Sequence, residues 1–566
     1  AANMTEDDIR ALKKRFDAVW QNRVNDMDDH CAELALHVLP VAIKTIKNQE
    51  KHDRSAWSKI VDNTGKDSLK TLAAGMVSGT CSPSRKWFTL QAADEALQKD
   101  IEVKQWLKAV EDACYVAFAK SNVYRAVHHI YTQEGAFGIG AALAPDHGPN
   151  SKAQPMDVIP MTFGEFAITT DEFNKPNGIF RKFKLTTLNM VKQFGLENVS
   201  DAIKSAFENK NFEQEFEVHH AVYERVDAKG YGPKNMPYAS IYYEPSATNK
   251  LLRESGMMSF QVICGRWTVS SSDVYGEGPA SDCIGDLRAL QKGHQQIAVG
   301  VDYQVRPPLL LPDYLKGHER ETLPNGIAFY QASPTSQVAQ VQAMLNVQFD
   351  LNGVMAQIAQ CQERVKRAFH TDLFLMLDAF DKGKMTATEV YERKSEKMLM
   401  LGPVVERQID ELLRPLVEIC VQRVLSRNKY LQQIAPEAIQ NADVEINFVS
   451  ILALAQKASG SAVLERALAM VGQVAQIDPQ VLDKFDTDKF IDEYMDINGV
   501  SPNVFRPKRI IDQIRSDRAA QQQIAQQQAL EAQQAQTQNT NANTVKTVSD
   551  TDAETVSDLF LQGGAA

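Results

Sequence analysis

One stripe of apolar residues constrains this chain more than any other feature. Met344, Val347, Leu351, Val354, Ile358, Cys361, Val365 and Ala368 follow one another at alternating steps of three and four for four heptads, the spacing that keeps side chains on one side of a helix. At 1.5 Å per residue such a rod is about 45 Å long. Its other faces carry Gln348, Asn352, Gln357, Gln360, Arg364 and Arg367. The stripe is covered either by the chain's own domain or by equivalent helices of neighbouring subunits, and the spacing alone is compatible with both.

A second long pattern precedes it. Ile284, Leu287, Leu290, Ile297 and Val301 mark one face of a helix that stops before Pro307-Pro308, because a proline disfavours helical geometry in the residue before it. A Pro- and Gly-rich insertion of about thirty residues separates the two helices. Residues 5–140 read mainly as helices, with Ile9, Leu12, Phe16 and Val19 on one face and Trp106, Val110, Tyr115 and Phe118 on another. From about 155 to 270 the period shifts to two, as in Ile179–Leu185 and Phe216–Val226, which predicts a largely antiparallel β region. The fold class expected is α+β, mainly α.

After a loop over Leu375–Met385, the run Met385-Thr386-Ala387-Thr388-Glu389-Val390 has the form of a capping box, Thr386 and Glu389, closed by a hydrophobic staple. The helix it starts is expected to run to about Arg427 and to bend, because Pro403 and Pro415 each remove a backbone donor. From Ala519 to Gln538 Gln and Ala dominate, which permits a solvated helix without a core.

The 566 residues allow roughly three or four domains. A formal charge of -11 excludes a polycation that binds nucleic acid by global attraction, so any such contact is local. No apolar run approaches the length of a membrane span, and Glu6, Asp7 and Asp8 stand where an export signal would be basic. Seven scattered cysteines without a CxxC pair suit buried thiols. No GxxxxGK[ST] phosphate cradle is present, so the chain is no ATP-driven motor. Gly135-Ala136-Phe137-Gly138-Ile139-Gly140 lacks the glycine order of a dinucleotide loop and reads as turns or close packing. The adjacent pairs His128-His129 and His219-His220 diverge on a helix or strand, and the acidic cluster from Asp483 to Glu493 lacks calcium-loop spacing. No metal, cofactor or catalytic residue is expected.

Several short motifs, in order and spacing, carry a resemblance. They are Asp62-Asn63-Thr64-Gly65 with Leu72-Ala73, Ser82-Pro83 with Trp87-Phe88, and Arg306-Pro307-Pro308. The capping-box run follows, and then Leu401-Gly402-Pro403-Val404 through Arg407, Glu411 and Pro415-Leu416. Over most of residues 10–515 the sequence resembles the head-to-tail connector, or portal, proteins of short-tailed bacteriophages. The resemblance implies a dodecameric ring at one capsid vertex, through which double-stranded DNA is packaged and ejected. It implies a wing at 1–280 with a β-rich part at 155–270, stem helices at 281–302 and 341–373, and a clip at 303–340. A tunnel loop at 374–385, a long bent wing helix at 386–445, a helical crown at 446–538 and a flexible tail at 539–566 complete it. The partners implied are the terminase large subunit, the major capsid and scaffolding proteins, and tail adaptor and internal core proteins, in a virion assembled in the host cytoplasm, with no membrane.

Within that frame Lys382, Gly383 and Lys384, with Phe380, are the tunnel-loop candidates for touching DNA. Without the resemblance, two lysines beside a glycine are an exposed loop tip. Arg364 and Arg367 are second candidates for lining the channel and equally suit salt bridges between subunits. Met344, Val347, Leu351, Val354 and Ile358 are the candidates for packing between stems. The competing readings are a coiled-coil scaffolding or tail assembly protein, and a nuclease or hydrolase whose metal-binding carboxylates escape sequence reading.

Overall fold

The computed structural model describes residues 4–48, 60–98, 100–145, 154–226, 232, 234–247, 250–270, 273–312, 326–331, 342–343, 350–380, 401–439, 444–448, 469–470, and 513–540 except 530 and 538. They belong to two compact units, Ala1–Ala462 and Val463–Ala566.

Helix α1 (Glu6–Arg23) begins at a capping box in which Thr5 and Asp8 bond each other's backbone N–H. It is followed by α2 (Asp29–Val38) and α3 (Thr64–Thr80). Strand β1 (Phe88–Ala92) leads to α4 (Ile101–Lys120) and α5 (Val123–Phe137). Gly138, at φ +83°, closes α5 in the left-handed conformation and turns the chain directly into β2 (Ile139–Leu143). A Cβ at Gly140 would stand 2.5 Å from the Ile130 carbonyl, so the glycine run serves close packing, as its order suggested.

Strands β3 (Ile159–Met161), β4 (Phe166–Thr170) and β5 (Pro176–Thr186) precede helices α6 (Thr187–Phe194) and α7 (Asp201–Glu208). Strands β6 (Glu215–Glu224), β7 (Tyr238–Tyr243), β8 (Leu251–Met257) and β9 (Val262–Arg266) complete the antiparallel region. The order β4-β5-β6-β7-β8 forms one five-stranded sheet, and β3-β2-β9 a smaller one. The five-stranded sheet is covered on both faces. On one side Leu12 and Phe16 of α1 pack on Phe180, Ala221, Ile241 and Tyr243, and on the other Met190, Phe194 and Ile203 pack on Val218, Tyr242 and Leu252. Burying a ring such as Phe16 contributes about 1.5–3 kcal/mol. The strand period sends His219 to stack on Phe16 and His220 to stack on Tyr242, so the pair diverges as expected.

The chain then enters α8 (Ile284–Val305), crosses β10 (Leu309–Pro312), β11 (Ile327–Tyr330) and β12 (Gln342–Ala343), and returns through α9 (Leu351–Ala368) and α10 (Thr371–Phe380). The three short strands form a sheet of order β11-β10-β12. Helix α11 spans residues 401–427, with a π-turn at Ile409–Leu413 ahead of Pro415. Arg414 N–H reaches back five residues to Ile409, widening the ladder before the proline that has no donor. Strand β13 (Val444–Phe448) pairs antiparallel with β1. All seven cysteines are free and buried. In the second unit, helical residues of 513–529 are exposed apart from the half-buried Ile514, in keeping with a Gln-rich solvated helix.

Three expected boundaries change. Gln342 and Ala343 belong to β12, where their backbone pairs with β10, so the helix expected from 341 starts at Leu351 behind an Asp350 cap. Residues 374–380, expected in a loop, are helical in α10. Residues 444 and 445 are strand rather than the end of a long helix, and β13 runs across the expected start of the crown at 446.

Candidate functional site

The two long helices α8 and α9 run antiparallel and touch where α8 has no side chain: a Cβ at Gly293 would lie 3.2 Å from Ile358. Their lower halves are a closed seam, with Leu287, Leu290, Ile358, Cys361 and Val365 all buried. Beside it Arg364 forks onto Asp286, with Nη2 to Oδ1 at 2.6 Å and Nε to Oδ1 at 2.9 Å. The guanidinium holds the Asp286 carboxyl below the ordinary aspartate range.

Both helices stand on Asp62, which is 7% exposed. Its Oδ2 accepts from Gln362 of α9 at 2.8 Å and pairs with His294 of α8 at 3.1 Å, while Oδ1 accepts the Thr64 N–H at 2.8 Å to open α3. Gln291 of α8 completes the clamp, donating to the Asp62 carbonyl and accepting the N–H groups of Val61 and Asp62. Burial pushes the Asp62 carboxyl up, but the Thr64 and Gln362 hydrogen bonds outweigh it and leave it below the ordinary value. Three residues on, Gly65 lets α8 approach, since a Cβ there would meet Leu287 at 2.6 Å. The Asp62-Asn63-Thr64-Gly65 motif is thus a footing for both helices at once.

Below the seam His370 takes a left-handed φ of +51° and separates α9 from α10. Leu373 and Phe374 are buried, and Phe374 fills the space over Gly75 of α3, where a Cβ would come within 2.2 Å of its ring.

At the opposite end the pair turns apolar side chains outward. Val299, Val301 and Val305 of α8 and Leu351 and Met355 of α9 are exposed, by 38–69%.

A second network underlies the Arg407, Glu411 and Pro415 signature. Arg266, at the end of β9 and fully buried, forks onto Glu411 at 2.7 and 3.1 Å. Arg407 donates to Glu411 at 3.1 Å, and Arg266 also bonds Asn174 and the Val274 carbonyl. Sequence reading missed Arg266, which looks there like any outward basic residue of a strand.

The predicted residues divide as follows. Ile358 lies in the closed intrachain seam, Val354 is half-buried, and Leu351 is exposed. Arg364 is paired within the chain, and Arg367 is exposed. Phe380 is the last residue of α10. Met344, Val347, Lys382, Gly383, Lys384, Thr386 and Glu389, and the Asp483–Glu493 cluster, lie outside the described residues. Among the described residues no group of His, Cys, Asp and Glu is placed to hold a metal ion, and no helix is long and apolar enough to cross a membrane.

The family described as bacteriophage head to tail connecting protein matches residues 10–505, and the chain belongs to that family. Its relatives include the probable portal protein of Bordetella phage BPP-1, 38% identical over 516 residues, covering 90% of this chain and 91% of that one. The portal protein of Salmonella phage epsilon15 is 32% identical over 534 residues, covering 93% and 94%. A chain in the virion of native gene transfer agent (GTA) particle aligns over 72% of this chain and 86% of its own, with 11% identity and a TM-score of 0.31, too slight a likeness to bear on the fold.

Proposed function

We propose that twelve copies of this chain close into a ring at one capsid vertex, with α8 and α9 as the wall of a conduit for double-stranded DNA during packaging and ejection. The observation that carries this reading is the unequal finish of the helix pair: a buried footing, and five exposed apolar side chains at the far end. Apolar side chains left exposed together at one end of a helix pair suit a contact surface, and copies arranged about an axis would cover them with one another. At -11 per chain, twelve copies carry on the order of a hundred negative charges, so passing DNA meets net repulsion and few tight sites.

In this reading the chain has no chemistry of its own. The terminase large subunit docks at the clip, the capsid shell and scaffolding proteins at the wing, and tail adaptor subunits at the clip after filling; internal core proteins are further partners. Lys382 and Lys384, flanking Gly383, give weak rings of cations that steady the duplex without reading its sequence. The coiled-coil reading loses support because the lower half of its stripe is already covered within the chain.

End-on electron micrographs of the native assembly decide between them: a closed ring with a central hole is expected, whereas monomers or rods would overturn the proposal. Replacing Lys382 and Lys384 together with Ala is expected to leave the ring intact and impair genome retention or packaging, measured as DNA per particle.

A further inference from the structure

Where α5 meets the wide turn of α11, three buried oxygen atoms lack a hydrogen. Glu134 is fully buried, and neither carboxyl oxygen has a hydrogen-bond partner. Gln408, equally buried, donates Nε2 to the Arg266 carbonyl at 3.0 Å, and its Oε1 is unpartnered. The two side chains converge over Gly265, where a Cβ would stand 2.2 Å from Glu134 Oε1 and 3.0 Å from Gln408 Oε1. Turning the amide over does not help: it would offer Glu134 a donor but set Oε1 against the Arg266 carbonyl, so one hydrogen is missing in either orientation.

The neighbouring nitrogen and hydroxyl donors are engaged elsewhere. On β9, Arg266 serves Glu411, Asn174 and Val274. On α11, Arg407 serves Glu411. On α5 itself, the Tyr131 hydroxyl is bonded to Thr80. Cys264 of β9 is a buried thiol. Helix α3 meets this part of α5 with Leu69 and Leu72, and β2 and β3 carry no charged side chain. On α2, Glu33 is tied to Arg288 and His30 to Ser281, and on α4 Glu111 is tied to Lys86 and Lys108. The turn through Gly278, which packs on the Glu134 carbonyl, is flanked by the acids Glu277 and Asp282. The charged neighbour that matters most is Glu411, of like sign.

We infer that Glu134 carries a proton in the folded protein, that its O–H donates to Gln408 Oε1, and that this neutral pair fastens α5 to the π-turn of α11. Burial, and then the Glu411 carboxylate, raise the Glu134 carboxyl well above its ordinary range and outweigh a smaller lowering by the nearby Gln408 amide, in agreement with the missing hydrogen. Between the ordinary glutamate value of 4.5 and the raised folded value, the folded chain binds one proton more than the unfolded chain. Stability therefore falls as pH rises through that window. The fastener secures the Arg266–Glu411 network from the other side, because an ionised Glu134 would set a second carboxylate beside the counter-ion of Arg266. It is a property of the single chain and does not depend on ring closure.

Infrared spectroscopy of the full-length protein near neutral pH tests this directly. The difference between wild type and Glu134→Gln is expected to show the carbonyl band of a protonated carboxyl in the wild type alone. A carboxylate signature lost in its place, as an ionised Glu134 bridged by water would give, overturns the inference. The unfolding midpoint of Glu134→Gln should lack the wild type's decline as pH rises above the ordinary glutamate range, and parallel declines would count against it. Should that variant fail to fold, Gln408→Met removes the acceptor instead: the protonated band must then move to higher frequency, and an unmoved band refutes the pairing.

Discussion

The helix pair α8 and α9 is finished at one end and unfinished at the other. At its footing every feature is used within the chain: the seam from Leu287 to Val365 is buried, Asp62 holds both helices to α3, and Gly65, Gly75 and Gly293 mark close approaches. At the far end the same two helices turn valines, a leucine and a methionine to solvent. The difference separates two sources of order. The footing is specified by one chain, whereas in the proposed ring the upper half would acquire its partners by association. A rigid base with an uncommitted top would then let identical protomers adjust to one another without altering the domain beneath.

That contrast is open to test, and the largest effect lies deepest. Replacing Glu411 with Ala strands the Arg266 guanidinium in the interior, and a loss of about 3–5 kcal/mol in chemical denaturation is expected; a loss near zero would mean that water reaches Arg266. Asp62→Ala leaves the donors of Thr64, Gln362 and His294 facing an empty site and should cost about 1–3 kcal/mol. Because the folded Asp62 carboxyl lies below its ordinary 3.8, its contribution is full above that value and is lost as pH falls through the folded one. The wild-type and Asp62→Ala unfolding curves should accordingly converge in acid. Arg364→Ala removes a pair whose arginine side chain is 52% exposed, and little measurable change in stability is expected. Met355→Ser should be the quietest in the isolated protomer, within about 0.5 kcal/mol, while lowering the yield of closed rings by native mass measurement. Unchanged assembly would show that the exposed end is not a contact surface.

Much of this was legible in the sequence where periodicity governs. The faces of α1, α8 and the lower part of α9, the β region and the diverging histidine pair all follow from spacing. The reading failed where a local pattern serves two structures. Three-and-four spacing through Met344 and Val347 continues into α9 without a break, and only Asp350, a good N-cap accepting from Gly353 at 3.1 Å, marks where the helix begins. The run Leu373-Phe374-Leu375-Met376-Leu377 has no period, so α10 was hidden behind His370, whose left-handed φ no propensity announces. Arg266 and Glu134 were invisible for another reason. Their burial depends on residues of α11, 145 positions beyond Arg266 in the case of Glu411, and a charged residue in a strand or helix reads as solvent-facing until its partner is known.

The wide turn at Ile409–Leu413 also sets the angular phase of everything after it. One additional residue in a turn advances a helix by about 100°, so the two halves of α11 belong to different registers of a single rod. Arg423, downstream, is held by the carbonyls of Ala144 and Pro155 and by Gln261. Excising one residue from the turn would mend the hydrogen-bond ladder and swing that arginine out of its socket. Any hybrid that exchanges this rod with a relative's must therefore keep the inserted residue, or the second half will present the wrong side.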